Sequence, residues 1–411
     1  MIIFQELLLL IILFPLILCR IRKDFNNKDD IITKCNDEPF PSVPLRTLNE
    51  LGICSTSGYL DTPHNKVNCT KIDVMRDYTF SNYLLDENHR KYRFELVKNL
   101  TNNINFIPYN GKLVYITVVS YGYLFFFYNW LCSIKNNIGS QALENTISSL
   151  IVLASDDDAS IFLKKEGFHV INLNEMVPKD PKYIIHKEAP NSFGENNLAL
   201  QKGMLFTLAS DVVTLGYEFL LFDVDVIMRK DPRHYLSRVG HNIDFLITHD
   251  GRFPYNSNVY DIDGPLNSGI IFGKPSCRSK IALETIIANI DLSFKHLRIT
   301  DQAIINMIVY QSPRFRTLRI GILPWNIFTN GNVFHSKQKF SNIDWNRVIM
   351  IHASWTTNWK TKVKKLSMTN DYYYNHNNCS YYNKEFDLLH KYNYTIDTID
   401  RDYDKQVEER K

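Results

Sequence analysis

The chain has no strong excess of charge of either sign. Its 47 Lys and Arg against 44 Asp and Glu leave a net +3 over 411 residues, and no basic run is dense enough to follow a phosphate backbone. A nucleic-acid partner is therefore not expected. None of the seven cysteines forms a C-x-x-C pair, which argues against structural zinc. No internal repeat is present, which excludes a repeat architecture. The N-terminal apolar run, Leu7 to Cys19, falls short of the roughly 20 residues that cross a bilayer and suits the core of a signal peptide. Two signal-peptide features are nevertheless missing: a positive n-region and an A-x-A cleavage pattern. Arg20, Arg22 and Lys23 come directly after the run, an order that the positive-inside tendency does not favour for a lumenal C-terminus.

The compartment is read instead from features that are present. Four N-glycosylation sequons occur, at Asn68, Asn99, Asn378 and Asn393. With the hydrophobic N-terminus they favour a secretory-pathway lumen. Cys19 lies in the apolar run, and Cys35, Cys54, Cys69, Cys132, Cys277 and Cys379 remain, an even number compatible with one or more disulfides. The expectation is a Golgi or endoplasmic reticulum membrane protein with a lumenal catalytic domain, held by the N-terminal segment; a secreted protein is the alternative.

The chain is 45% hydrophobic with 23 Tyr and 25 Phe, ample for one large domain plus extensions. Residues 1–19 are read as a signal anchor or signal peptide and 20–110 as a stem and accessory region, with one amphipathic helix over Arg76 to Leu100. Residues 111–370 are read as the catalytic domain and 371–411 as a tail. From Leu113 to Ser120 a β-branched run predicts the first strand. A helix over 122–134, a strand over Leu150–Ala154, a helix to Lys165 and a strand over 168–173 come next. This alternation marks parallel β-α units. A loop is expected over 174–194 and a long helix over 195–215. Further strands are expected near 243–248, 267–273, 316–323 and 347–351.

The stretch from Tyr217 to Phe222 reads as a strand buried on both faces, and it ends in Asp223-Val224-Asp225. In open α/β sheets ligands bind at the C-terminal ends of strands. With the chain still extended there, residues two apart face the same side. Two hard oxygen ligands then suit Mg2+ or Mn2+ and, through the cation, a phosphate-rich substrate. A pair that merely caps the next turn is the plain alternative.

Other blocks accompany this pair. They are Asn129-Trp130-Leu131, the strand end Ala154-Ser155-Asp156-Asp157, Leu266-Asn267-Ser268-Gly269, Asp301-Gln302, and Ile351-His352-Ala353-Ser354-Trp355 with a Lys-rich segment after it. In this order, over roughly 111–366, the chain resembles the nucleotide-diphospho-sugar transferases of glycosyltransferase family 77. The resemblance implies an α/β fold of GT-A type, a Rossmann-like mixed sheet flanked by helices. It also implies a metal-dependent glycosyltransferase that moves a sugar from a nucleotide diphosphate, UDP foremost, to a hydroxyl of a glycan or glycoprotein with retention.

On that resemblance Asp223 sits near the ribose and metal, Asp225 ligates the metal directly, and His352 supplies a third ligand; an imidazole beside two carboxylates suits Mn2+ better than Mg2+. His352 as a satisfied strand-end histidine is the alternative. A lysine adds charge at the phosphate: Lys362 matches best, and Lys360 is the second choice. Asn267, Ser268 and Gly269 line the cleft, Gly269 alternatively serving only close backbone approach. Asp301 and Gln302 bind sugar hydroxyls, or Asp301 caps its helix. Asp156 reaches the nucleotide or caps its helix, and Lys202 is a basic residue near the site. No residue is identified as the nucleophile of a double displacement, so front-face attack stays equally open. Two readings compete with a transferase. One is a haloacid dehalogenase-like phosphatase, whose D-x-D motif belongs on a first strand; the other is a non-catalytic sugar-binding relative.

Overall fold

Aliphatic runs with a period of two build the centre of the molecule, and helices cover them on both faces. The structure, a computed structural model, describes residues 80–102, 104, 112–177, 196–238, 243–250, 266–290, 300–311, 320–335, 343–354, 356, 358–375 and 377–387. The N-terminal apolar run, the sequons at Asn68 and Asn393, most of the stem and most of the expected loop over 174–194 lie outside these residues. No helix among the described residues is long and apolar enough to cross a membrane.

Two helices, α1 (Phe80–Leu85) and α2 (Glu87–Asn102), stand where one was expected, because Asp86 breaks the run and accepts the His89 N–H at 3.0 Å. β1 (Leu113–Val119) leads through a 3-10 turn at Tyr121–Tyr123 into α3 (Leu124–Asn137). After it come α4 (Ser140–Ser148), β2 (Leu150–Ala154), α5 (Asp157–Lys165), β3 (His169–Asn172) and α6 (Leu173–Met176). Next are α7 (Asn196–Thr214), β4 (Glu218–Phe222), β5 (Val226–Met228), α8 (Arg233–Leu236), β6 (Phe245–His249) and β7 (Leu266–Gly273). The chain continues with α9 (Cys277–Asn289), α10 (Asp301–Gln311), β8 (Ile320–Leu323), β9 (Phe328–Thr329) and α11 (Gly331–His335). β10 (Met350–His352) and α12 (Trp359–Met368) close it.

Among the described residues seven strands form one mixed sheet in the order β3-β2-β1-β4-β7-β6-β8. β1, β2, β3 and β4 run parallel, β7 is antiparallel to both its neighbours, and β8 is parallel to β6. Six strands therefore point one way, and β7 alone is reversed. The residues after β1, β2, β4, β6 and β8, together with the start of β7, share one edge of the sheet. Side chains alternate between two cores: Tyr115, Leu220 and Phe222 face α3, while Val114, Ile116, Phe219 and Leu221 face α7 and α9. The expectation of a strand buried on both faces holds for β4.

A smaller sheet, β5-β10-β9, begins directly after the carboxylate pair. β10 pairs antiparallel with β5, with His352 opposite Val226. α3 holds β5 in place: Met228 N–H donates to Ser133 Oγ at 3.0 Å, and Asn137 Nδ2 donates to Met228 O at 3.0 Å. On the opposite face a buried ion pair ties α2 to α7. Arg93 Nε lies 2.5 Å from Asp211 Oδ2 and Arg93 Nη1 donates to Leu84 O.

The compact body continues past residue 370, where a tail was expected. Asp371 is buried and accepts Arg229 through both of its oxygens, at 2.7 and 2.8 Å from Nη2. Asn129 Oδ1 receives the N–H groups of Tyr373 and Tyr374 at 2.5 and 3.0 Å. Cys379 is joined to Cys132 of α3 across a sequence separation of 247 residues, and Phe386 packs against Tyr121 and Phe162. The segment 371–387 is thus a strap over α3, and it could not be read from an Asn- and Tyr-rich composition. Closing so long a loop is expected to stabilise the fold by about 2–4 kcal/mol. Cys379→Ser should accordingly lower the melting temperature of the non-reduced protein and reduce its sensitivity to dithiothreitol; a variant that melts with the oxidised parent would contradict the cross-link.

Candidate active site

The carboxylate pair does not lie on extended chain as expected. Val226 N–H donates to Asp223 O at 3.2 Å, so residues 223–225 form a tight turn between β4 and β5. The turn brings the carboxylates together all the same, and the other strands of that edge deliver their partners. Asp223 N–H donates to Gly269 O at 2.9 Å, and Ala353 N–H donates to Asp225 O at 3.0 Å. Backbone bonds therefore fix each Asp to a different neighbouring strand, and β10 brings His352 to Asp225.

The four carboxylate oxygens divide into two sets. Asp223 Oδ1 accepts Lys202 Nζ at 2.6 Å, and Asp225 Oδ2 accepts Lys362 Nζ at 2.5 Å. The other two, Asp223 Oδ2 and Asp225 Oδ1, each lie 3.5 Å from His352 Nε2. That is too long for a hydrogen bond and close to the separation kept by neighbouring ligands of one cation, roughly 3 Å for metal–oxygen bonds near 2.1 Å. Asp223, Asp225 and His352 are the group among the described residues whose ligand atoms, all within 4.8 Å of one another, could hold a metal. Their donor set of two carboxylates and one imidazole fits Mn2+ or a similar divalent ion.

The charges are strongly interdependent. Burial opposes ionisation of Asp225, but the Lys362 ammonium and His352 outweigh it and hold the carboxyl well below the usual carboxylate range. Burial likewise opposes the charge on Lys202 and Lys362. Asp223 with Asp301 for the former, and Asp225 for the latter, raise both lysines above the ordinary value. For His352 the loss of solvent pushes the pKa down, and Asp225 with Asp223 more than reverses it.

Residues 145–366, more than half of the 411, match the profile of the nucleotide-diphospho-sugar transferase family. The chain belongs to this family. No curated protein sequence matches it significantly. Among solved structures, an active-site mutant of LgtC is similar over 66% of this chain and 98% of that one, at 9% identity and a TM-score of 0.40. The bifunctional glycosyltransferase WbbM covers 61% and 47% at 14% identity and a TM-score of 0.38. The glycosyltransferase GlyE of Streptococcus pneumoniae TIGR4 covers 64% of both chains at 12% identity and a TM-score of 0.36. The fold is the α/β arrangement expected, a mixed sheet with helices on both faces.

Most of the expected site residues of the transferase converge. Lys202, buried on α7, bridges Asp223 and Asp301, the latter at 3.5 Å. Asp301 does not cap α10; Thr300 Oγ1 does, accepting Ala303 N–H at 3.3 Å. Asn267 Oδ1 lies 2.9 Å from His352 Nδ1, and Ser268 is half-buried in the same stretch. Lys360 reaches no carboxylate of the pair; its ammonium lies 6.0 Å over the Trp359 ring. Asp156 fills both oxygens with structure, Oδ1 accepting Ala159 N–H as the cap of α5 and Oδ2 accepting Tyr121 N–H, each at 2.8 Å. Burial raises its pKa. Trp355 lies outside the described residues.

Asp250 was missed. It comes directly after β6 and accepts Asn267 Nδ2 at Oδ1 and Gln302 Nε2 at Oδ2, both at 2.8 Å. The signal was the one that singled out Asp223, a carboxylate closing an apolar strand, but Ile243 to Thr248 was read only as a strand.

Gly269 has a steric role. β7 bulges here: Ile247 pairs with Ile271 and Thr248 with Asn267, leaving Ser268, Gly269 and Ile270 unmatched on β6. A methyl group at Gly269 would come within 2.0 Å of His352 Cε1. Gly269→Ala should leave a folded protein whose imidazole is displaced, with Mn2+ affinity in the presence of UDP at least about tenfold weaker by calorimetry; parental affinity would mean that His352 is not a ligand.

Proposed function

We propose that this glycosyltransferase is metal-dependent and transfers a sugar from a UDP-linked donor to a hydroxyl of a glycan or glycoprotein, with retention of anomeric configuration. The observation that carries this reading is the division of the carboxylate oxygens. One oxygen of each Asp is balanced by a lysine, and the remaining two face a histidine nitrogen. Asp223, Asp225 and His352 would hold Mn2+, or Mg2+, and the ion would act as a Lewis acid on the leaving diphosphate.

The chain's own residues prepare that chemistry. Two ammonium groups, Lys202 buried and Lys362 partly exposed, already balance the carboxylates, so a bare cation gains little at this site. A cation that carries a nucleoside diphosphate brings its own negative charge, and it offers Lys362 an alternative partner. Lys362 is one-fifth exposed, against 7% for Lys202, so it is the lysine suited to meet a phosphate. Lys202 stays with Asp223 and Asp301. Asp301 and Gln302 lie at the same edge and would bind the hydroxyls of the sugar. The haloacid dehalogenase-like alternative fails on topology, because the D-x-D turn comes after β4 at the centre of the sheet, behind three earlier strands.

Location in a secretory lumen, Golgi or endoplasmic reticulum, is supported by the Cys132–Cys379 cross-link, since disulfides persist in oxidising compartments. Of the sequons, Asn378 is exposed on the strap, whereas Asn99 has its Thr101 buried on α2.

Calorimetric titration with UDP tests the reading. UDP should bind with Mn2+ present and at least about tenfold more weakly without it, a difference of about 1.4 kcal/mol. Asp225→Ala should abolish the metal effect. Binding that ignores both Mn2+ and Asp225→Ala would refute metal dependence, and a screen of sugar nucleotides for donor hydrolysis would identify the sugar.

A further inference from the structure

The acidic residue that sequence reading missed stands behind the histidine, not beside the carboxylates. Asn267 has three partners, and together they allow only one orientation of its amide. Gly269 N–H donates to Oδ1 at 2.9 Å, so that atom must be the acceptor. Nδ2 then donates to Asp250 Oδ1 at 2.8 Å, a carboxylate oxygen that accepts. Turning the amide over would set two donors against each other at Gly269 and two acceptors against each other at Asp250. With Oδ1 fixed as an acceptor, the 2.9 Å contact to His352 Nδ1 requires a proton on Nδ1. In the neutral ring Nε2 is then bare, and Nε2 is the atom 3.5 Å from both inner carboxylate oxygens.

We propose that Asp250 and Asn267 form a positioning relay that holds His352 in its Nδ1–H tautomer and presents a bare Nε2 to the carboxylate pair. Asp250 does not touch the metal group; it acts through Asn267. The second oxygen of Asp250 accepts Gln302 Nε2 at 2.8 Å, so the relay is also anchored to α10. The β7 bulge supplies the geometry, since it places Asn267 and Gly269 together below the ring. Ligand histidines depend on such partners for ring orientation and tautomer, and losing one typically weakens metal binding 10- to 100-fold. This inference rests on the metal-dependent reading above for its consequence, but its tautomer can be observed without metal.

The test compares the parent, Asn267→Leu, Asn267→Asp, and the exchange variant carrying Asp250→Asn with Asn267→Asp. In the exchange variant the new carboxylate at 267 accepts from Gly269, His352 and the new amide at 250, so the polarity of the relay is kept. Asn267→Asp alone sets two carboxylates against each other. Nitrogen-15 spectra of the metal-free proteins, at a pH where histidine is neutral, report the tautomer. Calorimetric titration of Mn2+ in the presence of UDP reports the affinity.

The parent and the exchange variant should show the Nδ1–H tautomer and bind Mn2+ within about threefold of each other. Asn267→Leu should lose the tautomer preference and bind about 10- to 100-fold more weakly. Should Asn267→Leu not fold, the contrast between Asn267→Asp and the exchange variant decides, with rescue expected only in the latter. An Nε2–H tautomer in the parent, or an Asn267→Leu protein with parental tautomer and affinity, would overturn the relay. A parent that shows the Nδ1–H tautomer but binds no Mn2+ would uphold the relay and defeat the metal-dependent reading.

Discussion

Two carboxylate oxygens held 3.5 Å from one imidazole nitrogen cannot stay together without positive charge among them. Much of the described architecture serves to keep these three groups in place and to supply that charge. Lys202 and Lys362 neutralise the outer oxygens, and against the lowering effect of burial Asp225 and Asp223 raise the pKa of His352. A divalent cation answers the same demand. The site therefore has two ways of being electrically satisfied, and a metal-bound nucleotide offers the second.

Distant parts of the chain are committed to this arrangement. Asp223 hangs from β7 and Asp225 from the residue after β10, so the tight turn between them is set by two strands of different sheets. Lys202 comes from the N-terminal half of α7, which packs on the back of the main sheet. Lys362 comes from α12, and the strap beyond that helix ties it down. Asp371 grips Arg229, the residue after β5, and the strap is locked to α3 by Asn129 and Cys132. The strap thus bears on the site from outside it.

Much of this was legible in the sequence, for definite physical reasons. The apolar alternation of β4 and its neighbours marked a doubly covered sheet, and the family blocks marked the carboxylates, His352, Asn267 and Lys362 in advance. Local geometry and distant pairing were not legible. A D-x-D on extended chain and one on a turn have the same sequence, and the bonds that set the turn here come from distant β7 and the end of β10. The phase of α12 relative to Asp225 agrees with the preference for Lys362 over Lys360. The strap over 371–387 is held by partners some 240 residues earlier, such as Asn129 with Tyr373, at a separation of 244. No local pattern encodes such a contact. Asp250 carried the strand-end signal but lacked a motif around it.

Asp223 Oδ2, Asp225 Oδ1 and His352 Nε2 would together form one metal centre for a diphosphate. Anomalous scattering from crystals grown with MnCl2 and UDP measures this directly. A manganese peak is expected within bonding distance of those three atoms, with diphosphate oxygens completing its coordination and Lys362 turned from Asp225 toward the phosphate. A nucleotide bound at this edge with no manganese among the three side chains would contradict it.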